Sequence, residues 1–263
     1  MPVTATRQPA VAGSFYPADP HELRHMLERY LQAAPADATA PSAMIAPHAG
    51  YVFSGPVAAS GYARLLRSGH HYRRVIILGP AHRVAFHGLA TTSASAFATP
   101  LGDVAVDREA IDAIAGLPQV QELDEAHRLE HCLEVQLPFL QLTLSDFSVI
   151  PLVVGDASAV EICEVIEALW TGPDTLVIVS SDLSHYHDYE TATRLDSETT
   201  RQIEELDYQG IAFEQACGRN PVSGLLLFAQ RHGLSATTLD LRNSGDTAGP
   251  RDQVVGYGTY VFN

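Results

Sequence analysis

The chain has 263 residues, of which 46% are hydrophobic and 18% charged. Surface scaling gives a folded area of roughly 11,000 Å² against about 41,000 Å² unfolded, so a full core forms without disulfides or a structural metal. Its sixteen basic residues, all arginine, against 31 acidic ones leave a net charge of −15. That balance repels nucleic acid, and the lack of lysine excludes a Schiff-base or Walker A lysine.

In chain order, Asp19-Pro20-x-Glu22 predicts a helix start, with Asp19 capping, Pro20 in the first turn and Glu22 closing a capping box. Leu23, Leu27 and Leu31 continue it as one apolar stripe. Residues 33–42 are Ala/Pro-rich and predict a loop. Strand-like apolar runs follow at 43–46, 75–78, 149–154 and 176–179, and helical patterns at 56–66, 107–115, 128–144, 159–169, 191–206 and 221–230. Near-continuous Val/Ile/Leu strands alternating with helices predict a single α/β domain over residues 1–263, with a mixed central sheet covered by helices on both faces. Runs at 236–241 and 254–262 predict a closing antiparallel pair.

Cys132, Cys163 and Cys217 are odd in number and widely spaced, which predicts no disulfide framework and a reducing, cytoplasmic setting. The first residues carry no apolar signal core, and no run approaches the ~20 apolar residues of a membrane span.

The chemistry gathers after the strands. The run 43–46 leads into Pro47-His48-Ala49-Gly50-Tyr51, 75–78 into Gly79-Pro80-Ala81-His82, and 176–179 into Ser180-Ser181-Asp182-Leu183-Ser184-His185. Ligands of open α/β sheets bind outside the carboxyl ends of the strands. If these strands are parallel, His48, His82, Asp182 and His185 meet in one cleft. Imidazole serves both as metal ligand and as acid/base near neutral pH. Two histidines with a carboxylate or thiolate suit a mononuclear iron.

Other segments bear on that cleft. Ser54 is a candidate N-cap, and with Tyr51 it sits where helix amides could hold an anionic substrate group. At the start of the helix expected over 128–144, His127, His131 and Glu134 share a face by their spacing of four and three, and Pro138 kinks or ends it. His187 alternates with His185 and is read as a rim residue. Cys217 precedes a helix, a position that favours a low thiolate pKa. Cys132 and Cys163 are read as buried.

These segments, in this order, resemble the Memo family, known in bacteria and archaea as AmmeMemoRadiSam system protein B. The resemblance runs from Arg7–Pro17 through APHAGYVFSG (46–55), ILGPAH (77–82), EHCLEVQLPFL (130–140), SSDLSHY (180–186) and ACGRNPV (216–222) to VGYGTY (255–260). It implies a fold similar to class III extradiol dioxygenases, which hold a non-haem iron beside a catalytic histidine. By motif, His48 and His82 resemble the two histidine ligands, and Cys217 stands where those enzymes use a carboxylate. His185 resembles the acid/base, with Asp182 orienting it or adding a polar contact, while His131 and Glu134 resemble supporting residues. The implied metal is Fe2+, with copper or zinc as alternatives, since thiolate is a softer donor than carboxylate.

Three functions fit these residues. One is a redox enzyme acting on a small-molecule substrate. Another is a non-catalytic scaffold that binds a metal or a peptide in the same pocket. The third is a hydrolase or transferase with Cys217 as nucleophile and His185 as base. The family name also suggests a radical-SAM partner protein; no nucleic acid or membrane partner is expected.

Overall fold

The computed structural model of the chain describes residues 5–35 and 37–263. The first four residues of the expected leaderless start, and residue 36 of the expected loop, lie outside them. Strand β1 (Thr6–Arg7) is followed by helix α1 (Pro20–Ala33), β2 (Ala43–Ala46), α2 (Tyr51–Ser68) and β3 (Arg74–Pro80). Next come β4 (Leu89–Thr91), β5 (Ala96–Thr99), β6 (Gly102–Ala105), α3 (Arg108–Ile114), β7 (Val120–Glu122), α4 (Asp124–Arg128) and α5 (Leu137–Thr143). The second half contains β8 (Ser148–Val154), α6 (Ala159–Leu169), β9 (Thr175–Ser180), β10 (His185–His187), α7 (Tyr189–Glu204), α8 (Arg219–His232), β11 (Ala236–Asn243) and β12 (Val254–Phe262).

The large sheet runs β10-β12-β2-β9-β3-β8-β4-β7, with β11 paired to β12. Its centre is parallel: β2 pairs with β9, and β3 lies between β9 and β8. The closing strands β11 and β12 are antiparallel, as their sequence predicts. Successive residues of β2 and β9 are all buried, so both faces of the central sheet are covered. A smaller sheet, β1-β5-β6, sits apart from it.

Asp19 caps α1 by accepting from the amides of His21 and Glu22, and Leu23, Leu27 and Leu31 are buried as their spacing predicts. Ser54 is not a cap. Helix α2 begins five residues earlier than expected, with Gly50 at its N-cap, and Ser54 Oγ donates to Ala49 O at 2.9 Å inside the first turns.

The continuous helix expected over 128–144 is absent. Helix α4 ends at Arg128, residues 129–133 form an irregular turn, and a short 3₁₀ turn (Glu134–Gln136) leads into α5. Pro138 falls in the first turn of α5, where its missing N–H costs nothing. His127, His131 and Glu134 therefore share no helix face. His127 is buried elsewhere, with Nε2 2.9 Å from Ala90 O.

Helix α8 packs closely on α6, because a Cβ at Gly224 would stand 2.2 Å from Ile162 Cγ2. Gly224→Ala should therefore lower unfolding free energy by about 1–3 kcal/mol through overpacking. Gly116→Ala, with nothing within 4 Å, should stay within about 0.5 kcal/mol of wild type in the same urea titration.

Candidate metal centre

Because β2, β9 and β3 are parallel and adjacent, their carboxyl ends open side by side. The loops that follow carry His48, Asp182 and His82, so the convergence expected from sequence is present. The cavity there has a volume of ≈ 590 Å³ and is lined by His48, His82, His131, Asp182 and His185, with Phe15, Phe53 and Tyr257 among its walls.

His48 is buried, and its Nδ1 lies 3.0 Å from Ser180 Oγ. That hydroxyl donates its one proton to Cys132 O (2.6 Å) and accepts from Gln136 Nε2 (2.7 Å). Gln136 is itself oriented, since its Oε1 accepts from Tyr62 OH (2.6 Å) and its Nε2 also donates to Pro47 O (3.0 Å). Only a protonated Nδ1 can use the remaining lone pair of Ser180. The network therefore assigns the proton to His48 Nδ1 and leaves the Nε2 lone pair free.

His82 is fixed by a carboxylate. Its Nδ1 is 2.9 Å from Glu130 Oε1, and its amide donates to Glu130 Oε2 at 2.8 Å. The amides of His131 (2.9 Å) and Cys132 (3.1 Å) also donate to Oε1. Burial raises the Glu130 pKa, but the hydrogen bonds and charge of His82 and the amide donors outweigh it and hold the group at about 2. Glu130 is thus an anion, and His82 presents Nε2 in its turn.

His131 completes the cluster. Its Nδ1 is 3.3 Å from Glu130 Oε1, and its ring centroid lies 5.4 Å from that of His48 and 5.0 Å from that of His82. One donor atom from each of His48, His82 and His131 lies within 4.8 Å of the others. Burial first, and the neighbouring imidazoles second, depress the pKa of His48 to about 3 and of His131 to about 4. His48 and His131, held neutral, and His82, oriented by Glu130, together offer an imidazole donor set that suits a transition metal.

Cys217 stands beside this group. Its Sγ lies 3.3 Å from His48 Nε2 and 3.6 Å from Asp182 O. The only other donor triad of comparable closeness among the described residues is His82–Glu130–Cys132, and Cys217 is in neither. The low thiolate pKa expected from its helix-start position is overturned. Burial, then the charge of Asp182, push the thiol up to about 12. Cys132 and Cys163 are buried as expected.

His185 lines the cavity, and its Nδ1 is held 2.7 Å from Leu183 O. A carbonyl only accepts, so Nδ1 bears the proton and Nε2 is free to take one. Tyr186 next to it is in the left-handed region (φ 60), strained for a bulky residue, and the pairing of β10 with β12 shifts there. His185 and His187 thus do not alternate regularly, and His187 is not among the cavity residues. Asp182 does not orient His185. Its Oδ1 accepts from the His48 amide at 2.7 Å, and burial raises its pKa.

Three further expectations change. Tyr51 and Ser54 do not line the cavity. Tyr51 is buried and donates to Val135 O at 2.6 Å, and Ser54 bonds Ala49 O. Glu134 supports no cluster histidine. It pairs with Arg7 and accepts from Ala10 N (2.7 Å), Val11 N (3.1 Å) and Tyr16 OH (2.5 Å). Those bonds secure the segment carrying Phe15, whose ring meets His131 edge-on at 4.8 Å. Sequence reasoning missed Glu130, Ser180 and Gln136 as the groups that orient the imidazoles. The one available signal was Glu130 directly preceding His131.

A family model described as Memo-like protein matches residues 7–261. Over 278 residues the chain is 37% identical to a MEMO1 family protein of Saccharolobus solfataricus and 36% identical to one of Saccharolobus islandicus, each covering 95% of this chain and 97% of the relative. A MEMO1 family protein of Sulfolobus acidocaldarius is 35% identical over 280 residues. An α/β protein with a histidine cluster at the carboxyl ends of its parallel strands is the class that fold and site define. The chain belongs to the Memo-like family.

Linkage gives the cluster a pH signature. Below the unfolded pKa of 6.5 the unfolded chain binds protons that native His48 and His131 refuse until about 3 and about 4. Stability therefore falls as pH drops through that window. In chelator-treated protein these two groups should cost about 4 kcal/mol from pH 7.5 to 5 by urea titration, and buried His127, also held at about 4, adds to the loss. His131→Phe should shrink the loss; an unchanged slope would count against a neutral cluster.

Proposed function

We propose that the pocket holds one transition-metal ion on His48 and His82 and presents it to a small molecule in the ≈ 590 Å³ cavity. The observation that carries this reading is the fixed tautomer of both rings, each with Nδ1 on a buried acceptor. Metal-binding histidines are oriented in this way by carboxylates and other acceptors. The cavity volume falls within the range of small-molecule sites.

For the third donor we propose Cys217, from its 3.3 Å approach to His48 Nε2 and the family resemblance. Two imidazoles and a thiolate favour iron, with copper as the alternative, and suit redox chemistry like that of the extradiol dioxygenases. A bound metal of this kind supplies Lewis-acid or one-electron reactivity. The chain's own part is proton handling by His185 Nε2, the nitrogen that the Leu183 carbonyl leaves free. Phe15, Phe53 and Tyr257 exclude water from the substrate's flanks.

The three-imidazole group favours a second reading, in which His131 is the third ligand and zinc the metal. In that form the pocket captures a metal or a peptide without turnover. A hydrolase with Cys217 activated by His185 gains no support, because the thiol meets His48 and is held neutral. We place the protein in the cytoplasm, in keeping with three free cysteines. Work alongside a radical-SAM protein is a further proposal that rests on the family name.

Elemental analysis of protein purified without oxygen tests the site. We expect about one equivalent of metal in wild type, and none in the His48→Ala, His82→Ala double variant. Metal retained by that variant would remove the proposal. Cys217→Ser should release iron and lower by about one the number of protons freed on metal uptake, because the thiol must ionise to ligate. Loss in His131→Ala instead, with proton release unchanged by Cys217→Ser, selects the three-imidazole form. Glu130→Gln and Ser180→Ala should each weaken metal binding about 10–100-fold in chelator competition.

A further inference from the structure

A second cavity, of ≈ 320 Å³, opens on Cys217 but is lined by none of the clustered histidines. It sits past the ends of β3 and β8, with Pro80, Ala81 and Val154 at its base and Val84, Phe86 and Phe213 on its walls. Its polar groups are Arg219, Asn220 and Asp156. Asp156 is turned to solvent, 3.2 Å from His87 Nδ1.

Arg219 differs from most arginines of this acidic protein. Arg7, Arg64, Arg74, Arg108, Arg128, Arg201, Arg231, Arg242 and Arg251 all meet carboxylates. Arg219 instead rests on a neutral acceptor, with Nε and Nη2 3.3 and 3.2 Å from Asn220 Oδ1. Its guanidinium carbon lies 5.8 Å from the centre of the Phe213 ring. Asn220 is fixed in turn by donating from Nδ2 to Gly155 O at 3.1 Å. Among the described residues no carboxylate neutralises this guanidinium. A cation held in place and left uncompensated beside apolar walls is a ready receptor for one carboxylate. The net charge of −15 favours a monoanion over a polyanion here, since long-range repulsion grows with ligand charge.

We propose that this second cavity binds a small monocarboxylate with an apolar body. Its carboxylate meets Arg219, its body lies against Val84, Phe86 and Phe213, and its far end reaches Cys217. Cys217 lines this cavity and not the one that holds the histidines, although its Sγ lies 3.3 Å from His48 Nε2. The site stands on the cavity and on Arg219, whether or not a metal occupies the neighbouring cluster.

Alkylation of Cys217 in the full-length, chelator-treated protein tests this, with buried Cys132 and Cys163 as internal references. Iodoacetate and iodoacetamide differ in charge but attack the same sulfur. Relative to a free thiol, wild type should favour iodoacetate about tenfold at Cys217, as one charge-assisted contact allows. Arg219→Gln should abolish the preference while leaving the iodoacetamide rate within about twofold, because a partly exposed side chain is replaced. Butyrate should protect Cys217 in wild type and not in Arg219→Gln. Equal rates for the two reagents in wild type, or a preference or protection that survives Arg219→Gln, would overturn the proposal. None of these outcomes depends on metal content, so failure here leaves the metal reading untouched.

Discussion

The site depends on one buried anion. Glu130 accepts from two backbone amides and the His82 amide, and holds the His82 ring through its Nδ1. A carboxylate that deep survives only when its lone pairs are filled. Filling them requires residues 131 and 132 to turn their N–H groups inward, and a regular helix would spend those groups on carbonyls four residues back. The break after α4 is therefore a consequence of the charge. It places the His131 ring in the cluster and the Cys132 carbonyl over Ser180.

A second buried carboxylate works outward from the same break. Glu134 gathers Arg7, two amides and the Tyr16 hydroxyl, and the Arg7 guanidinium also bonds the carbonyls of His127 and Glu130. The N-terminal arm is thus fastened to the segment that carries the cluster. The arm in turn sets Phe15 against His131 and brings Phe15 O to the Tyr51 amide at the start of α2. The irregular turn after α4 couples the histidine cluster to the Phe15 wall of the cavity, and a buried ion pair is a costly way to do so. Precise placement of the arm is what that arrangement provides.

Architecture was legible in the sequence where periodicity speaks directly. The four buried strands, the closing antiparallel pair and the helix stripes of α1 and α6 stand close to their expected bounds. So was the meeting of His48, His82, Asp182 and His185, because strand ends and parallel order fix loop positions. What failed did so for local reasons. Residues 128–144 have helical spacing, yet the hydrogen-bond demand of Glu130 and Glu134 overrides propensity. Tyr51 and Ser54 neighbour His48 in sequence, but entry into α2 turns Tyr51 into the core. Cys217 precedes a helix, but burial outweighs whatever its terminus contributes to the thiol. No pattern announces that Ser180 and Gln136 choose a tautomer, because that choice depends on who shares one hydroxyl.

That hydroxyl ties the cluster to the hydrophobic core. Tyr62 lies in the middle of α2, its ring stacked 4.7 Å from Phe139 of α5, and its OH aligns Gln136. Gln136 aligns Ser180, and Ser180 accepts from the proton-bearing Nδ1 of His48, which leaves Nε2 bare. Each step uses a different element, so the orientation of His48 is set by how α2, the 3₁₀ turn that leads into α5, and β9 pack together. A ring fixed in this way loses little further freedom when it takes a ligand, because folding has already supplied the order. Core packing and donor geometry are then one constraint. A change that shifts Tyr62 by a fraction of an ångström reaches the histidine cluster through Gln136, Ser180 and His48, without any other residue of the cavity being touched.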